Sequence, residues 1–384
     1  MKKPLAVALI GYQFMGKAHS QAYRDVAMFF PQVTPPLMKV LCGRTRQSLQ
    51  QAARQYGWEE ACTDWRKVVQ REDIDLVDIS TPGNLHKKIA VAAAQAGKHV
   101  LCEKPLANNL KEALEMLEAV EQAGVRHMVA FNYRRIPAIQ LAKHMIGQGR
   151  LGRVFHWRSV YLQDWSISPH YPLVWRLQRS KAGSGAHGDL NSHLIDLAHH
   201  LLGDIEEVIG SRETFIPQRP LPENPRKKGK VTVDDATLFL ARFENGALGS
   251  FEASRMAIGR KNSLQIEING SDGSLQFDLE RLNELHYYNR KDSSRHKGFR
   301  TILVTEPTHP YLQGWWPPGH IIGWQHTFVH EVMDLLLAIE KQKPIEPNFL
   351  DGVKCQAVLE AVIQSVRRGK WVRPAGLWKR KRRT

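Results

Sequence analysis

Residues 7 to 23 of the chain read VALIGYQFMGKAHSQAY, an apolar run followed by two glycines and helix-forming residues. This order predicts a strand, a tight turn and a helix, as at the start of a dinucleotide-binding unit. The usual fingerprint G-x-G-x-x-G places a third glycine between Gly11 and Gly16, but this chain has Gln13 there. The motif alone leaves two interpretations open, a cofactor site with one residue changed or an ordinary strand, turn and helix.

The composition is that of a folded protein of about two domains. The chain has 384 residues, of which 42% are hydrophobic and 24% charged, and this balance excludes bulk disorder. No apolar run in the sequence is long enough to form a membrane helix. The apolar stretch after Lys2 and Lys3 passes directly into Gly11 with no cleavage site, so we expect a buried first strand and a cytoplasmic protein. The widely spaced cysteines include no C-x-x-C pair, which argues against a disulfide framework and a metal site.

The formal net charge of +16 raises the question of an anionic partner. The basic residues are densest in residues 225–230, 290–300 and 379–383, which are loop or terminal segments. No helix-turn-helix, zinc-finger or RNA-binding aromatic motif accompanies them, so we predict no specific nucleic-acid partner. Solvated positive loops are the favoured interpretation, with weak phosphate contacts or an anionic partner as the alternative.

The first third of the chain alternates apolar strands with helical patterns. The predicted strands are 5–10, 37–42, 74–80, 99–105 and 126–133. Helices are predicted from about residue 15 to residue 29, through QSLQQAARQYG, through LHKKIAVAAAQAG, and over residues 109–124. This alternation is typical of a Rossmann-type, doubly wound parallel sheet, which binds ligands beyond the carboxyl ends of its strands.

The rest of the chain is rich in strands. Residues 236–254 predict a hairpin that turns at Asn245-Gly246, and residues 263–278 predict a second hairpin. Closing helices are predicted at about 324–342 and 350–369. We therefore expect an α/β protein in which a Rossmann doubly wound parallel sheet precedes an α+β domain with an open, largely antiparallel sheet. The predicted boundaries are 1–133 for the dinucleotide-binding domain, 134–375 for a substrate-binding and oligomerisation domain, and 376–384 for a basic tail.

Gln13 does not remove the features that suit the first turn to a pyrophosphate. The unpaired N–H groups and the dipole of the helix N-terminus remain, and the glutamine side chain needs only to point away from the phosphates. Two other predicted strand ends carry polar residues, in STPGNLH (80–86) and in CEKPLA (102–107). Because parallel strand ends share one sheet edge, we expect these loops to converge where a cofactor would lie.

Four motifs follow one another along the chain, GYQFMGKAHSQA, STPGNLH, CEKPLA and GDLNSHLIDLAHHLLG. Together they resemble the glucose–fructose oxidoreductase and inositol dehydrogenase family (Gfo/Idh/MocA type), and the resemblance covers nearly the whole chain. YLQDW, WRLQRSKAGSG, PPGHIIGWQHTFVHEV and PNFLDGV look more specifically like its sugar and glycoside 3-dehydrogenases, the levoglucosan dehydrogenase type among them. The resemblance implies a Rossmann domain joined to an open α/β sheet domain, an NAD or NADP cofactor, and tolerance of a larger residue at the middle glycine.

The same resemblance implies three catalytic residues. It places the catalytic lysine at Lys104, whose ammonium would lower the pKa of a nearby substrate hydroxyl and stabilise the developing alkoxide. In the family pattern D-x-x-x-H, His193 is the base that takes the hydroxyl proton, and Asp189 binds the substrate or tunes that base. Four residues apart, Asp189 and His193 would share one face of an α-helix. Judged singly, these three are typical of an exposed lysine, a helix cap and an interior histidine. Asn191 stands where many members carry glycine.

Further site residues are predicted from strand ends and aromatic segments. The predicted cofactor-binding residues are Gly11, Tyr12, Gln13, Phe14, Met15, Gly16, Arg44, Ser80, Thr81, Pro82, Asn84, His86, Glu103, Lys104 and Asn132. The predicted substrate-binding residues are Lys104, Tyr133, Arg134, Trp165, Trp175, Arg176, Asp189 and His193. Tryptophan suits a sugar site because the C–H faces of a pyranose pack on indole rings. Asp196, His199 and His200 are assigned to helix packing rather than to a metal site.

The end of the second strand gives conflicting signals about the cofactor. It reads VLCGRTRQS, so Gly43, Arg44, Thr45 and Arg46 stand where NAD-specific sites usually carry a carboxylate. Arg44 could pair with the 2′-phosphate of NADP or stack on the adenine of either cofactor. Because the sugar 3-dehydrogenases of the family mostly use NAD, we predict NAD, with NADP as the alternative.

The predicted function is a nicotinamide-dependent dehydrogenase that oxidises a secondary hydroxyl, at C3, of a sugar, anhydrosugar or glycoside to a keto-sugar. The alternatives are an inositol or other polyol dehydrogenase and a non-catalytic dinucleotide-binding regulator. Lys104, Asp189 and His193 together favour an enzyme, since a sensor needs no proton-handling set. A zinc alcohol dehydrogenase is disfavoured because clustered cysteine ligands are lacking. We expect a homodimer or homotetramer, because an open sheet face usually needs covering.

Overall fold

The computed structural model describes residues 3–378, and from residue 379 on the predicted basic tail (376–384) lies outside the described residues. The strands of the N-terminal sheet are β1 (Ala6–Ile10), β2 (Leu37–Cys42), β3 (Glu60–Cys62), β4 (Leu76–Ile79), β5 (His99–Cys102) and β6 (His127–Val129). In the described part of the chain their order is β3-β2-β1-β4-β5-β6, and neighbouring strands are parallel. The strand order reverses between β1 and β4, which is where doubly wound sheets bind ligands.

The inner strands are apolar because both faces of the sheet are covered. Every residue of β1, which reads AVALI, is buried, as are all residues of β4. The edge strand β3 is not predicted from the sequence, because its three residues are exposed or half-buried and form no apolar run. The expected doubly wound parallel sheet is confirmed, with this additional strand.

The helices that accompany this sheet are α1 (Phe14–Phe29), α2 (Arg46–Tyr56), α3 (Trp65–Val69), α4 (His86–Gln95) and α5 (Leu110–Ala123). The ends of α5 show how the sequence determines where a helix begins and ends. The side chain of Asn109 accepts a hydrogen bond from the backbone N–H of Glu112 at the first turn, and Gly124 ends the helix in the left-handed region. The short helix α3 is not predicted from the sequence.

The second part of the chain adds the helices α6 (Pro137–Gly147), α7 (Arg179–Ala182) and α8 (Ser192–Leu202) and the strand β7 (Val154–Leu162). Its later strands are β8 (Ile205–Glu213), β9 (Gln218–Leu221), β10 (Asn224–Lys230), β11 (Ala236–Phe243), β12 (Leu248–Ser254), β13 (Ser263–Gly270), β14 (Gly273–Asp278), β15 (Glu284–Asn289) and β16 (Arg300–Leu303). The larger sheet has the order β16-β15-β14-β13-β7-β12-β11-β8, and β9 pairs with β10 separately. The pairing is antiparallel except between β7 and β12, which confirms the largely antiparallel sheet.

Both predicted hairpins are present in this sheet. β11 and β12 are antiparallel neighbours joined at Asn245-Gly246, and β13 pairs with β14. Along β11 buried and exposed residues alternate, so one face of the strand is packed and the other carries the exposed Leu238 and Leu240. The helix α8 packs on β7. This sheet is therefore covered by helices on one face, as expected.

Three helices close the chain, and they are α9 (His326–Glu340), α10 (Phe349–Arg368) and α11 (Ala375–Trp378). α9 packs against α1, far from it in sequence. Among residues 3–378, every helix is too short or too polar to cross a lipid bilayer.

Packing divides the chain into an N-terminal unit, Met1–Arg135 with Gly323–Val353, and a C-terminal unit, Ile136–Ile322 with Lys354–Thr384. A grouping by packing does not test which ranges bind cofactor and substrate. The boundaries at 1–133, 134–375 and 376–384 therefore stay a prediction.

Candidate active site

The first turn of the N-terminal unit needs both of its glycines. Gly11 follows β1 with φ of 115°, and a Cβ atom there would lie 2.4 Å from the carbonyl oxygen of Ser80. A Cβ atom on Gly16 would lie 2.1 Å from the carbonyl oxygen of Gly11. The backbones of β1, of α1 and of the loop after β4 thus approach one another too closely for any side chain. These two glycines fulfil the roles that the fingerprint gives to its first and third glycines.

Gln13 occupies an ordinary backbone conformation just before α1. Its φ is −76° and its side chain is exposed. Its carbonyl oxygen accepts the backbone N–H of Lys17, and its side chain makes no capping hydrogen bond to the helix. The helix N-terminus can therefore receive an anion with glutamine in place of the middle glycine.

Tyr12 and Phe14, on either side of Gln13, make different contacts. A Cβ atom on Gly43, at the end of β2, would lie 2.3 Å from the ring of Tyr12, so this tyrosine packs directly against the glycine backbone. The ring of Phe14 is stacked on Trp324 with a centroid distance of 5.4 Å, although Phe14 is 66% exposed. Met15 is half-buried, and Arg44 is exposed beyond β2.

The loop after β4 presents hydroxyl groups at the same sheet edge. The side-chain oxygens of Ser80 and Thr81 are buried, and among residues 3–378 they have no hydrogen-bond partner. Pro82 is half-buried and Asn84 is exposed. Buried hydroxyl groups normally form a hydrogen bond, so this loop fits a polar ligand that lies over the strand ends.

His86 joins the two loops that follow β4 and β5. Its Nε2 lies 2.9 Å from the carbonyl oxygen of Thr81, and its Nδ1 lies 3.2 Å from the carbonyl oxygens of both Pro105 and Leu106. Burial outweighs these contacts and lowers the pKa of His86 below its usual value. The structure thus places this predicted cofactor residue where it holds the two loops together.

Lys104 lies two residues beyond β5 and is half-buried. Glu103 before it is buried, and one of its carboxylate oxygens accepts the backbone N–H of Lys104 at 2.9 Å. The lysine thus follows a carboxylate that is fixed within the protein. Its position at a strand end is the one that the sequence predicts.

Asn132, Tyr133 and Arg134 form a short 3₁₀ helix after β6, and all three are buried. The amide of Asn132 donates to Thr327 Oγ1 at 2.8 Å. Arg134 forms an ion pair with Asp351 at 3.3 Å. The guanidinium of Arg134, a predicted substrate residue, is therefore already paired with a carboxylate of the same unit.

Asp189 and His193 lie at the start of α8 in the C-terminal unit. Residues His187–Asn191 form a π-helical turn and the α-helix begins at Ser192, so the spacing rule of a regular α-helix does not apply between Asp189 and His193. His193 is 5% exposed, and its ring lies 5.9 Å from that of Tyr161. π-helical turns inside helices are frequent at functional sites.

The π-helical turn is fixed by polar residues beside it. One carboxylate oxygen of Asp234 accepts the backbone N–H of Gly185 at 2.8 Å, and the other accepts that of His187 at 2.7 Å. Asn191 is fully buried and donates to the carbonyl oxygen of Thr237. Asparagine at this position therefore ties the turn to β11, which accounts for the departure from glycine.

Arg255 is the partner of Asp189. Its Nη2 donates to Asp189 Oδ2 at 2.7 Å, and its guanidinium lies 5.0 Å above the ring of Trp165. Asp189 is not the cap residue of either helical segment, and its carboxylate is paired with a buried guanidinium. Arg176, whose carbonyl oxygen lies 3.5 Å from Arg255 Nη1, stacks on Trp175 at 4.4 Å.

A chain of hydrogen bonds connects the aromatic residues near His193. Tyr161 and Gln163 both donate to Asn262 Oδ1 at 2.8 Å, and Trp165 donates to Gln163 Oε1 at 2.9 Å. Gln163 and Trp165 lie beyond the end of β7, so Trp165 is oriented by its hydrogen bond to Gln163 and not by a strand.

Sequence reasoning did not find Gln163, Asp234, Arg255 and Asn262. The alternation of polar and aromatic residues in YLQDW could have indicated Gln163. Arg255 follows β12 and Asp234 precedes β11, and neither residue lies in a local motif. Their roles depend on strand pairing, since β11 and β12 bring them beside the π-helical turn. Among residues 3–378 no group of three His, Cys, Asp or Glu side chains could hold a metal ion.

Each of the two units, taken by itself, supplies groups suited to ligand binding or proton transfer. The N-terminal unit supplies a helix N-terminus, free hydroxyl groups and a strand-end lysine. The C-terminal unit supplies a buried histidine, an anchored carboxylate and oriented indole rings. Each of these groups can bind or stabilise a polar ligand or transfer a proton.

Sequence comparison with known families gives two matches. Residues 5–131 match the oxidoreductase family with an NAD-binding Rossmann fold, Gfo/Idh/MocA, and residues 139–276 match the Gfo/Idh/MocA C-terminal domain. The predicted NAD-binding Rossmann domain and the predicted family are thus confirmed.

The individual relatives agree with this assignment. The chain is 44% identical to the levoglucosan dehydrogenase of Pseudarthrobacter phenanthrenivorans, over 96% of this chain and 97% of that protein. The crystal structure of an oxidoreductase domain protein from Kribbella flavida is 51% identical, with a TM-score of 0.93 over 97% of this chain and 99% of that chain. A levoglucosan dehydrogenase in complex with NADH and levoglucosan is 44% identical, with a TM-score of 0.94 over the same shares. The chain belongs to the Gfo/Idh/MocA family of oxidoreductases.

Proposed function

We propose that this oxidoreductase uses NAD to oxidise a secondary hydroxyl, at C3, of a sugar, anhydrosugar or glycoside to a keto-sugar. The observation that carries the proposal is the similarity along 96% of the chain to a levoglucosan dehydrogenase. A solved structure of a levoglucosan dehydrogenase in complex with NADH and levoglucosan is similar over 97% of the chain. The anchored proton-handling groups of the two units support the same chemistry.

Bound NAD would supply the hydride acceptor. Gly11, Gly16 and the first turn of α1 would hold its pyrophosphate, and Ser80 and Thr81 offer the buried hydroxyl groups that a polar ligand would satisfy. Further contacts with the cofactor are proposed for Tyr12, Gln13, Phe14, Met15, Arg44, Pro82, Asn84, His86, Glu103 and Asn132. Of these, His86 and Asn132 already have hydrogen-bond contacts with other groups of the protein. They would therefore shape the site through the groups that they hold.

Lys104 would act on the reacting hydroxyl of the sugar. An ammonium within hydrogen-bond distance of that oxygen stabilises the alkoxide character that develops as the C–H bond is broken. The buried carboxylate of Glu103 fixes the backbone of Lys104, which supports a defined position for the side chain.

His193 would take the proton from the same hydroxyl. A buried imidazole packed against Tyr161 has a defined orientation, and its ordinary pKa lies near neutrality. Asp189 would orient the sugar rather than take the proton, because Arg255 already holds its carboxylate in place. Oxidation is then balanced, with the hydride leaving the carbon and the proton leaving the oxygen.

The sugar ring would lie on aromatic and basic residues of the C-terminal unit. Trp165 is oriented by Gln163 and stacked on Arg255, and Trp175 is stacked on Arg176. Tyr133 and Arg134 remain proposed substrate residues, although the ion pair with Asp351 makes a direct charge contact from Arg134 the weakest of these assignments.

We propose a preference for NAD over NADP. Arg44 is exposed beyond β2 and would lie against the adenosine part of the cofactor. The ring of Tyr12 occupies the space in which a side chain at position 43 would stand, so a carboxylate there is excluded by packing as well as by sequence. A cytoplasmic location and a homodimer or homotetramer are part of the same proposal, and the exposed leucines of β11 are consistent with a covered sheet face.

The test is a screen of purified protein against levoglucosan, other anhydrosugars, aldoses, glycosides, inositols and polyols, with NAD and with NADP. We expect turnover of sugars with NAD, followed by the absorbance of the reduced nicotinamide. Turnover restricted to inositols or polyols would replace the substrate class. Tight NAD binding without turnover of any compound would instead favour a dinucleotide-binding regulator.

A further inference from the structure

A buried cluster of charged groups lies below the ends of β4 and β5. At its centre is His19 in α1, which is 1% exposed. Nδ1 of His19 lies 2.8 Å from Asp78 Oδ2, and Nε2 lies 3.1 Å from Glu103 Oε1. Asp78 belongs to β4 and Glu103 follows β5, so one imidazole ring joins two neighbouring strands of the sheet.

The contact continues from Glu103 to Lys104. Oε1 of Glu103 faces His19, while Oε2 accepts the backbone N–H of Lys104 at 2.9 Å. Each oxygen of this carboxylate therefore has a different partner. The two contacts therefore constrain the orientation of the Glu103 carboxylate together.

We propose that His19 is a positioning residue for Lys104 and acts through the carboxylate of Glu103. The inference rests on the proposed function, in which Lys104 contacts the reacting hydroxyl. His19 itself would contact neither substrate nor cofactor, since its two ring nitrogens face protein carboxylates on either side.

The geometry requires a charged imidazole. Both ring nitrogens face carboxylate oxygens, and both can donate only when the ring carries two protons. Burial by itself favours the neutral ring, but the charges and hydrogen bonds of Asp78 and Glu103 outweigh it and hold the pKa of His19 well above its usual value. A neutral ring would leave one nitrogen lone pair against a buried carboxylate.

Other groups surround the cluster, but the charges that raise the pKa of His19 are those of Asp78 and Glu103. On α1, the hydroxyl of Tyr23 donates to Asp78 Oδ2 at 2.9 Å. On α9, burial raises the pKa of Glu331 to about 8, so this carboxyl adds no negative charge at lower pH. The ring of Phe328 lies 5.4 Å from that of His19. Arg135, whose charge acts to lower the pKa of Glu331, forms an ion pair with Asp334 at 3.2 Å.

The test compares His19→Gln with a matched buried histidine of the same unit. His330 in α9 is fully buried and its Nδ1 lies 2.9 Å from the carbonyl oxygen of Arg135, so His330→Gln controls for loss of a buried imidazole. The readout is the backbone amide resonance of Lys104 in full-length protein labelled with ¹⁵N-lysine. Lys104→Arg assigns that resonance. Turnover of the best sugar with NAD is measured beside it.

We expect His19→Gln to shift the Lys104 amide resonance and to lower kcat by about 10- to 100-fold, since a misplacement of about 1 Å costs up to that much. His330→Gln should lower the melting temperature yet leave the resonance and kcat unchanged. The proposal is overturned if the Lys104 resonance is the same in wild type and His19→Gln. Because this resonance needs no substrate, it decides the inference even if no sugar is turned over, in which case only the proposed function fails.

A second variant covers the case in which His19→Gln does not fold. His19→Gln/Asp78→Asn removes one positive and one negative charge together, so the net charge of the cluster does not change. We expect the same shift of the Lys104 resonance. If neither variant folds, the test is a pH titration of wild-type protein. The Lys104 amide resonance should shift with the same midpoint as the ¹⁵N resonances that report His19 losing its proton. The absence of a shift at that midpoint would overturn the proposal.

Discussion

Arg255 and Asp189 form a buried ion pair of 2.7 Å at the π-helical turn that precedes α8. The arginine is almost fully buried, whereas 30% of the aspartate side chain is exposed. The pair thus fixes a carboxylate that is still partly exposed to solvent. A carboxylate held in this way can accept hydrogen bonds from sugar hydroxyl groups without moving, which makes it a binding group rather than a base.

Replacing Arg255 with Gln should weaken sugar binding and destabilise the protein. Removing one partner of a buried ion pair costs about 3–5 kcal/mol, and the exposed side of Asp189 should reduce this to about 2–3 kcal/mol. We expect KM for the sugar to rise more than kcat falls, as measured by steady-state kinetics and urea unfolding. Arg242→Gln, which removes the exposed ion pair with Glu207 in the same sheet, is the control and should change neither. An unchanged sugar KM in Arg255→Gln would exclude Asp189 as a binding group.

Replacing Lys104 with Ala should lower turnover by about 10²- to 10⁴-fold, the usual contribution of a group that stabilises developing charge. NAD affinity, measured by fluorescence titration, should change far less. Lys98→Ala is the matched control, because Lys98 is also half-buried but precedes β5, at the opposite end of the same strand. Near-normal turnover in Lys104→Ala would remove Lys104 from the catalytic assignment.

Replacing His193 with Ala should remove the acidic limb of the pH–rate profile, because the base that must be deprotonated is lost. Asp189→Asn should be less severe, since it keeps size and hydrogen bonding. The comparison is His199→Gln, which lies further along α8 and is assigned to helix packing. If His193→Ala retains the wild-type pH profile, the base must be another group.

Replacing Glu331 with Gln should make stability less dependent on pH. In the folded protein burial raises the pKa of Glu331 from 4.5 to about 8, so the folded state keeps a proton that the unfolded state loses in this range. Stability from the protonated group is therefore lost as pH rises, by up to about 1.4 kcal/mol per pH unit. Urea unfolding at pH 5 to 8 should show that the free energy of unfolding of Glu331→Gln increases relative to that of wild type as pH rises. Glu118→Gln, an exposed change on α5, should follow wild type, and a parallel curve for Glu331→Gln would contradict the prediction.

Much of the fold was predictable because the relevant signals are local. The apolar run of β1, the glycine at position 124 and the Asn245-Gly246 turn each determine backbone geometry within a few residues. The edge strand β3 was missed because an exposed three-residue strand has no apolar pattern to detect. Local patterning therefore gives the elements and their order, and it fails at short sheet edges.

The site was predictable to a smaller extent. The close approach at Gly11 and Gly16 follows from the fingerprint, whereas the catalytic role of Lys104 is implied by the resemblance to the family and stays a prediction. The partners of the site residues do not follow from a motif, because Arg255 reaches Asp189 through strand pairing and His19 reaches Glu103 from 84 residues away. Asp189 and His193 also illustrate a limit of spacing rules, since the π-helical turn between them changes the pitch that four-residue spacing assumes.

In the proposed reaction hydride leaves C3 of a sugar and is transferred to NAD. This transfer is measured with levoglucosan and glucose carrying deuterium at C3, incubated with the protein and NAD, with mass spectrometry of the nicotinamide product. We expect NADH that is one mass unit heavier, a keto group at C3 in the product by NMR, and a kcat/KM at least tenfold higher with NAD than with NADP, a difference of about 1.4 kcal/mol. Unlabelled NADH formed at the normal rate would contradict oxidation at C3, and a preference for NADP above about tenfold would contradict the NAD assignment and make Arg44 a phosphate ligand.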